Sequence, residues 1–244
     1  MKDTLFADPA APCQDFQFTP KVAEVFDDML ERCVPFYKET IAMAASLLSS
    51  TLRPDDLVYD LGCSTGTTLI ELARRLPQRG LHFIGVDSSE AMVAKARLKA
   101  EVYSKQEQIR FIQADILEVP LERPAAILLH YTLQFVRPLQ RPDFLRRLHS
   151  ALKPGGVLLV SEKTICHTPT LNRAFIDCHL HFKREHGYSE IEIAKKREAL
   201  ENVLVPFTVA ENLELFRKAG FVAAEQFFQW FNFSGFVASK GATD

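Results

Sequence analysis

The sequence predicts an α/β fold built on a mostly parallel sheet with helices packed on both faces. Three observations carry this. Short apolar runs alternate with stretches of helical spacing from residue 57 to residue 161. One run, residues 125–130, is almost unbroken in its apolar character, as expected of a strand buried on both faces. The junction after the first run reads Asp60-Leu61-Gly62-Cys63-Ser64-Thr65-Gly66, a glycine-bearing turn between a strand and a helix.

The elements follow in order. Residues 1–20 carry several prolines and little periodicity and read as an irregular arm. Residues 22–50 have helical spacing, with Pro35 breaking them into two helices. Strands are expected at 57–60, 81–87, 109–113, 125–130 and 157–161, with helices at 67–76, 89–103 and 142–152 between them. Ser88 or Ser89 is the expected cap of the second of these helices. Residues 164–205 are polar and amphipathic without a convincing strand, and read as inserted helices. A helix over 208–219 ends at Gly220. Strands at 221–229 and 231–239 are close enough to form an antiparallel hairpin. The whole, residues 1–244, is expected to be one domain: a seven-stranded sheet, an N-terminal arm and helical cap over 1–52, and the insertion over 164–205.

Composition narrows the function. Hydrophobic residues make up 47% of the 244 and charged residues 25%, enough apolar material for a core without disulfides. The formal net charge of −2 disfavours direct binding of nucleic acid. The five cysteines, Cys13, Cys33, Cys63, Cys166 and Cys178, are scattered, which fits a reducing cytoplasm. No signal peptide is expected, and no apolar run approaches a membrane span. The cluster Cys166, His167, Cys178, His179, His181 and His186 lacks zinc-ligand spacing, so no metal is expected.

The candidate site lies at successive strand ends. Gly62 and Gly66 allow a ligand close to the backbone at a helix N-terminus. Two glycines do not make the three-glycine pyrophosphate fingerprint, and Asp60 before them favours a cationic ligand over a phosphate. Asp87, 25 residues after Gly62, ends the second strand, where a carboxylate can accept ribose hydroxyls. Asp115 follows the third strand, with Ile116 placed to pack on an adenine ring. A tight strand–helix turn without a ligand explains the glycines alone; three acidic strand ends in order call for a nucleoside-type ligand.

With this turn, and a hairpin at the far end of the pattern, residues 55–165 and 208–239 resemble the class I S-adenosylmethionine-dependent methyltransferases, a Rossmann-like fold. Longer strings resemble one family within it: Lys2-Asp3-Thr4-Leu5-Phe6, Val22-Ala23-Glu24-Val25-Phe26, Tyr131-Thr132-Leu133-Gln134-Phe135, Ser161-Glu162-Lys163, Phe182-Lys183-Arg184, Gly187-Tyr188-Ser189-Glu190, Lys196-Arg197, Leu200-Glu201-Asn202-Val203 and Phe231-Asn232-Phe233. On these the chain is similar to the carboxy-S-adenosyl-L-methionine synthases. The resemblance implies an enzyme that takes S-adenosyl-L-methionine and prephenate to carboxy-S-adenosyl-L-methionine and phenylpyruvate, through a sulfonium ylide that captures CO2. It also implies a homodimer, and a tRNA carboxymethyltransferase as the user of the product in wobble-uridine modification. Carried over position by position, it assigns the cofactor to Tyr37, Gly62, Cys63, Ser64, Asp87, Ser88, Asp115, Ile116, His130 and Arg197. Tyr37, His130 and Arg197 then stand nearest the chemistry, with Arg197 as the carboxylate clamp.

Without the resemblance, Arg197 reads as part of a solvated charge run, Tyr37 equally as helix packing or a cofactor contact, and Lys183-Arg184 equally as an acid-binding pair or a solvated one. Ser88 and His130 stand where the family has asparagine. A cationic imidazole beside a sulfonium is repulsive, so His130 is expected to be neutral. The alternatives in view are a conventional methyltransferase and a non-catalytic binder of the same cofactor.

Overall fold

The computed structural model describes residues 1–10, 12 and 14–242; Cys13 lies outside them. The first strands, β1 (Leu57–Leu61), β2 (His82–Asp87) and β3 (Ile109–Gln113), form one flank of the sheet. Beyond β1 come β4 (Ala126–His130) and β5 (Val157–Ile165). All five run parallel, and β5 is followed in space by β8 (Phe233–Ser239) and then β7 (Ala223–Trp230). The order is therefore β3-β2-β1-β4-β5-β8-β7, with β8 antiparallel to both neighbours. This is the class I methyltransferase arrangement expected from the sequence.

Both faces of the sheet are covered. On one, α2 (Tyr37–Thr51), α3 (Thr67–Arg75) and α4 (Glu90–Val102) bury Leu48, Leu72 and Ala96 against Val58, Phe83 and Phe111. On the other, α5 (Arg141–Ala151) and α8 (Val209–Ala219) bury Leu145, Leu148 and Phe216 against Tyr59, Ile127 and Phe236. The β4 side chains are apolar on both faces because each face has its own layer of helices to meet.

A third cluster builds the cap. Helix α1 (Pro20–Cys33) packs Val22, Phe26 and Met29 with Met92 of α4, Tyr188, and Ile193 of α7 (Glu190–Leu200). The insertion is α6 (Pro169–Glu185) and α7, as expected, but its boundary shifts. Strand β5 runs to Ile165 because Lys163 pairs with Phe233, while Thr164 and Ile165 pair with the two-residue β6 (Phe207–Thr208). That short strand makes the sheet eight-stranded rather than seven. Its signal is too short to read as a strand in sequence, and partners far along the chain create it.

Candidate nucleoside and anion site

The loop between β1 and α3 is held from behind by β2. Gly62 and Cys63 donate their amides to the Val86 carbonyl at 2.7 and 3.0 Å. Gly62 sits at φ +82°, and a Cβ there would lie 2.4 Å from the Thr132 side chain. The loop is also braced from the cap: Lys99 reaches Asp27 at 2.6 Å and the hydroxyls of Thr65 and Thr67 at 3.0 and 2.8 Å. Burial raises the Asp27 carboxyl, but the Lys99 charge and the hydrogen bonds it accepts from Lys99, Thr65 and Thr67 win and hold it below its ordinary value.

Asp87 ends β2 with each carboxylate oxygen already engaged, Oδ2 by the Ser64 amide and Oδ1 by the Ser89 amide, both at 2.9 Å. Two backbone donors fix its orientation and leave lone pairs facing the cavity. Beyond β3, Asp115 accepts the Leu117 amide at 2.8 Å, and Arg147 ties down the carbonyls of Ile116 and Val119. A cavity of about 360 Å³ opens between this rim and the cap. Its lining takes in Tyr37, Gly62, Cys63, Ser64, Asp87 and Ser88, and equally Asp115, Ile116 and His130.

Around His130 the lining is aromatic and uncharged. The His130 ring lies 5.2 Å from Tyr37 and 4.8 Å from Tyr131, centre to centre. Burial pushes its pKa down to about 3, so the imidazole is neutral at physiological pH. Its Nε2 is buried without a partner among the described residues. Burial also holds the Tyr37 phenol protonated. Cys63 is a buried thiol whose pKa burial pushes up, so it is poorly suited to act as a nucleophile.

Asp60 differs from its expected place. It lies beneath the loop, 1% exposed, and is not among the residues lining the cavity; Oδ1 has no partner among the described residues. Burial, aided by the Asp87 charge, raises its pKa to about 8. Its effect on a ligand is through the field rather than by contact. Arg197 is likewise not a lining residue: it is exposed on α7. Its charge is nevertheless felt by Lys163 and Lys183 in the cavity wall.

The structure adds a cationic wall that the sequence did not distinguish from a solvated one. Lys163 comes from β5, His179 and Lys183 from α6, and Lys196 from α7; all four line the cavity. The pair Lys183-Arg184 divides: Lys183 is buried in the wall, whereas Arg184 pairs with Glu190 at the surface. His179 Nε2 donates to the Cys33 carbonyl at 2.9 Å, which leaves Nδ1 as the bare nitrogen of the neutral ring. Lys196 meets Cys33 Sγ at 3.1 Å and the Asp3 carboxylate at 3.7 Å. Asp3 in turn accepts the Tyr188 hydroxyl, so the N-terminal arm closes the cap from outside. The remaining members of the His/Cys cluster go elsewhere; His181, for example, pairs with Glu185. Among the described residues no group of three potential metal ligands forms, and no helix is long and apolar enough to cross a membrane.

Comparison with known proteins places this geometry. A methyltransferase-domain family model matches residues 58–156. The chain has the fold of human N-acetylserotonin methyltransferase, solved with S-adenosylmethionine, at a TM-score of 0.64 and 19% identity. That match covers 91% of this chain and 56% of the human one. Magnesium protoporphyrin IX methyltransferase from Synechocystis is similar at a TM-score of 0.56 and 19% identity, over 83% of this chain and 79% of that one. Likeness in sequence is much greater to the carboxy-S-adenosyl-L-methionine synthase of Desulfotalea psychrophila, 56% identical over 98% of this chain and 97% of that protein. The same-named protein of Wolinella succinogenes is 44% identical over 99% of both. These matches run through the arm, the cap and the α6–α7 insertion as well as the sheet, and by them the chain belongs to the carboxy-S-adenosyl-L-methionine synthase family.

Proposed function

We propose that this chain converts S-adenosyl-L-methionine and prephenate to carboxy-S-adenosyl-L-methionine and phenylpyruvate. The reaction balances. Prephenate gives up CO2 and hydroxide as its ring becomes aromatic. The sulfonium methyl loses a proton, its carbon bonds to the CO2 carbon, and proton and hydroxide leave as water. S-adenosyl-L-methionine is here a substrate, and its sulfonium supplies the acidity of the methyl group.

One observation carries the reading: a single cavity joins a nucleoside-type rim, Asp87 and Asp115, to a wall of buried lysines. The residues fit their partners chemically. Asp87 is oriented to accept the ribose hydroxyls, and Asp115 with Ile116 to hold the adenine. Neutral His130 and Tyr37 surround the sulfonium without repelling it. The mostly apolar lining, with substrates filling the cavity, limits the water that can reach a carbanion-like methyl. Plain methyl transfer gives the lysine wall no role. The reading further takes the protein as a cytoplasmic homodimer, in which Arg197, exposed on α7, is free to act as carboxylate clamp, and whose product feeds a tRNA carboxymethyltransferase.

The test is to incubate the protein with S-adenosyl-L-methionine and prephenate and follow the nucleoside by mass spectrometry. A product heavier by one CO2, with phenylpyruvate released, is expected. A bound but unchanged S-adenosyl-L-methionine would sink the assignment in favour of a methyltransferase or a silent binder.

A further inference from the structure

Lys163 and Lys183 present a problem of physical chemistry. Lys183 is 9% exposed and Lys163 half-buried, and both line the cavity. Among the described residues, neither ammonium has a hydrogen-bond acceptor or a carboxylate partner, and only the Cys33 thiol acts in their favour, whereas Lys196 beside them meets Asp3 and Cys33 directly. Both side chains are partly desolvated and their ammonium groups open only onto the cavity, an unfavourable setting for two like charges that repel one another. Folding alone does not account for the pair, since methionine or leucine would pack the same space more cheaply. Burial first, then Lys183 and Arg197, brings Lys163 down to about 8, and burial also lowers Lys183.

The geometry around them is that of a receiving pocket. Lys183 and His179 stand four residues apart on one face of α6. The His179 ring packs edge-on against Phe233, centres 4.7 Å apart. Lys163 reaches the same space from β5, one residue after buried Glu162, and its amide is fixed by the Gln134 side chain at 3.0 Å. Two ammonium groups and an aromatic surface complement a small organic dianion that carries a ring.

We propose that Lys163 and Lys183 form the carboxylate-binding subsite for the carboxyl donor, holding its carboxylates at the inner end of the cavity, with Phe233 and His179 forming the apolar side. This rests on the function proposed above and names the residues that recognise its second substrate. Both are positioning and binding residues; neither exchanges a proton with the reacting carbon.

The experiment compares the full-length protein with Lys163→Met, Lys183→Met, Lys183→Arg and the double methionine variant. It measures prephenate binding by calorimetry, KM for prephenate, affinity for S-adenosyl-L-methionine, and Tm. Each methionine variant is expected to weaken prephenate binding about tenfold or more, the worth of one charge-assisted hydrogen bond. Affinity for S-adenosyl-L-methionine should stay within about twofold, since the rim is untouched, and Lys183→Arg should recover most of the loss. Tm without prephenate is expected to rise in the methionine variants because an unpaired buried charge has been removed; a merely structural lysine would lower it. Lys183→Gln carries the test if the methionine variant does not fold. Unchanged prephenate affinity in the double variant overturns the proposal. Lysine-dependent binding of prephenate without turnover would instead overturn the proposed reaction and leave the subsite standing.

Discussion

At Gly62 the backbone is left-handed and Thr132 occupies the space where a side chain would begin. Gly62→Ala therefore combines an unfavourable φ with a clash. It is expected to cost about 1–3 kcal/mol in urea unfolding and to weaken S-adenosyl-L-methionine binding as the loop shifts. Asp60 and His130 set the electrostatics of the cationic substrate in opposite directions. His130 stays neutral down to about pH 3 and adds no repulsion in the working range. Asp60 holds its proton up to about pH 8, so its charge, which favours a sulfonium, develops only as pH rises. Affinity for S-adenosyl-L-methionine is expected to strengthen from pH 6.5 to 8.5 in the unchanged protein by more than in Asp60→Asn. Parallel calorimetric profiles for the two would rule the mechanism out. At this scale Gly62, Asp87 and Asp115 were legible because their chemistry is local to a strand end. Lys183 was half legible, read equally as acid-binding or solvated, and Lys163 was not: a lysine after Ser161-Glu162 looks like the solvated end of a strand until β8 and α6, distant in sequence, cover it.

Among the elements, β4 and the β5–β8–β7 edge place the inner wall, and the connections around them are held by buried polar groups. Arg141, fully buried at the start of α5, donates to the carbonyls of Val136 at 2.9 Å and Val205 at 2.6 Å. It thus joins the loop after β4 to the return of the α6–α7 insertion. Arg141→Leu keeps the bulk and orphans both carbonyls. It is expected to cost about 2–5 kcal/mol and to loosen prephenate and S-adenosyl-L-methionine binding together, unlike the lysine variants. The start of α8 is simpler. Thr208 and Glu211 form a reciprocal capping box, with Thr208 Oγ1 accepting the Glu211 amide at 3.1 Å. Thr208→Ala should lower stability by about 1 kcal/mol without touching either affinity. The cap at Ser89 and the breaks at Pro35 and Gly220 were the boundary signals readable from sequence. Strand β6 and the last turns of β5 escaped because a ladder between residues 164–165 and 207–208 has no local signature.

For the molecule as a whole, the buried titratable groups shape stability against pH. Asp60 and Glu162 are both raised to about 8 by burial, from ordinary values of 3.8 and 4.5. Between those limits the folded chain holds protons that the unfolded chain has released, so raising the pH removes stability. His130, lowered from 6.5 to about 3, acts the other way, but only below pH 6.5. Lys163, lowered from 10.5 to about 8, adds stability with pH only above that value. Tm is therefore expected to fall from pH 6.5 to 8, each carboxyl contributing at most about 1.4 kcal/mol per pH unit, and Glu162→Gln should flatten the slope. A Tm that rises through this window would contradict the assignment. The position of β8 between β5 and β7 bears on how the protein is made. On the ribosome, strands emerge in chain order, and β5 has no partner on its outer edge until residues 233–239 have cleared the exit tunnel. The arm waits as well, because Asp3 meets Tyr188, 185 residues further along. The nascent chain thus carries an open, apolar strand edge through the last stretch of its synthesis, the kind of surface that chaperones cover. Sheet and cavity are completed together, late, by the same few residues.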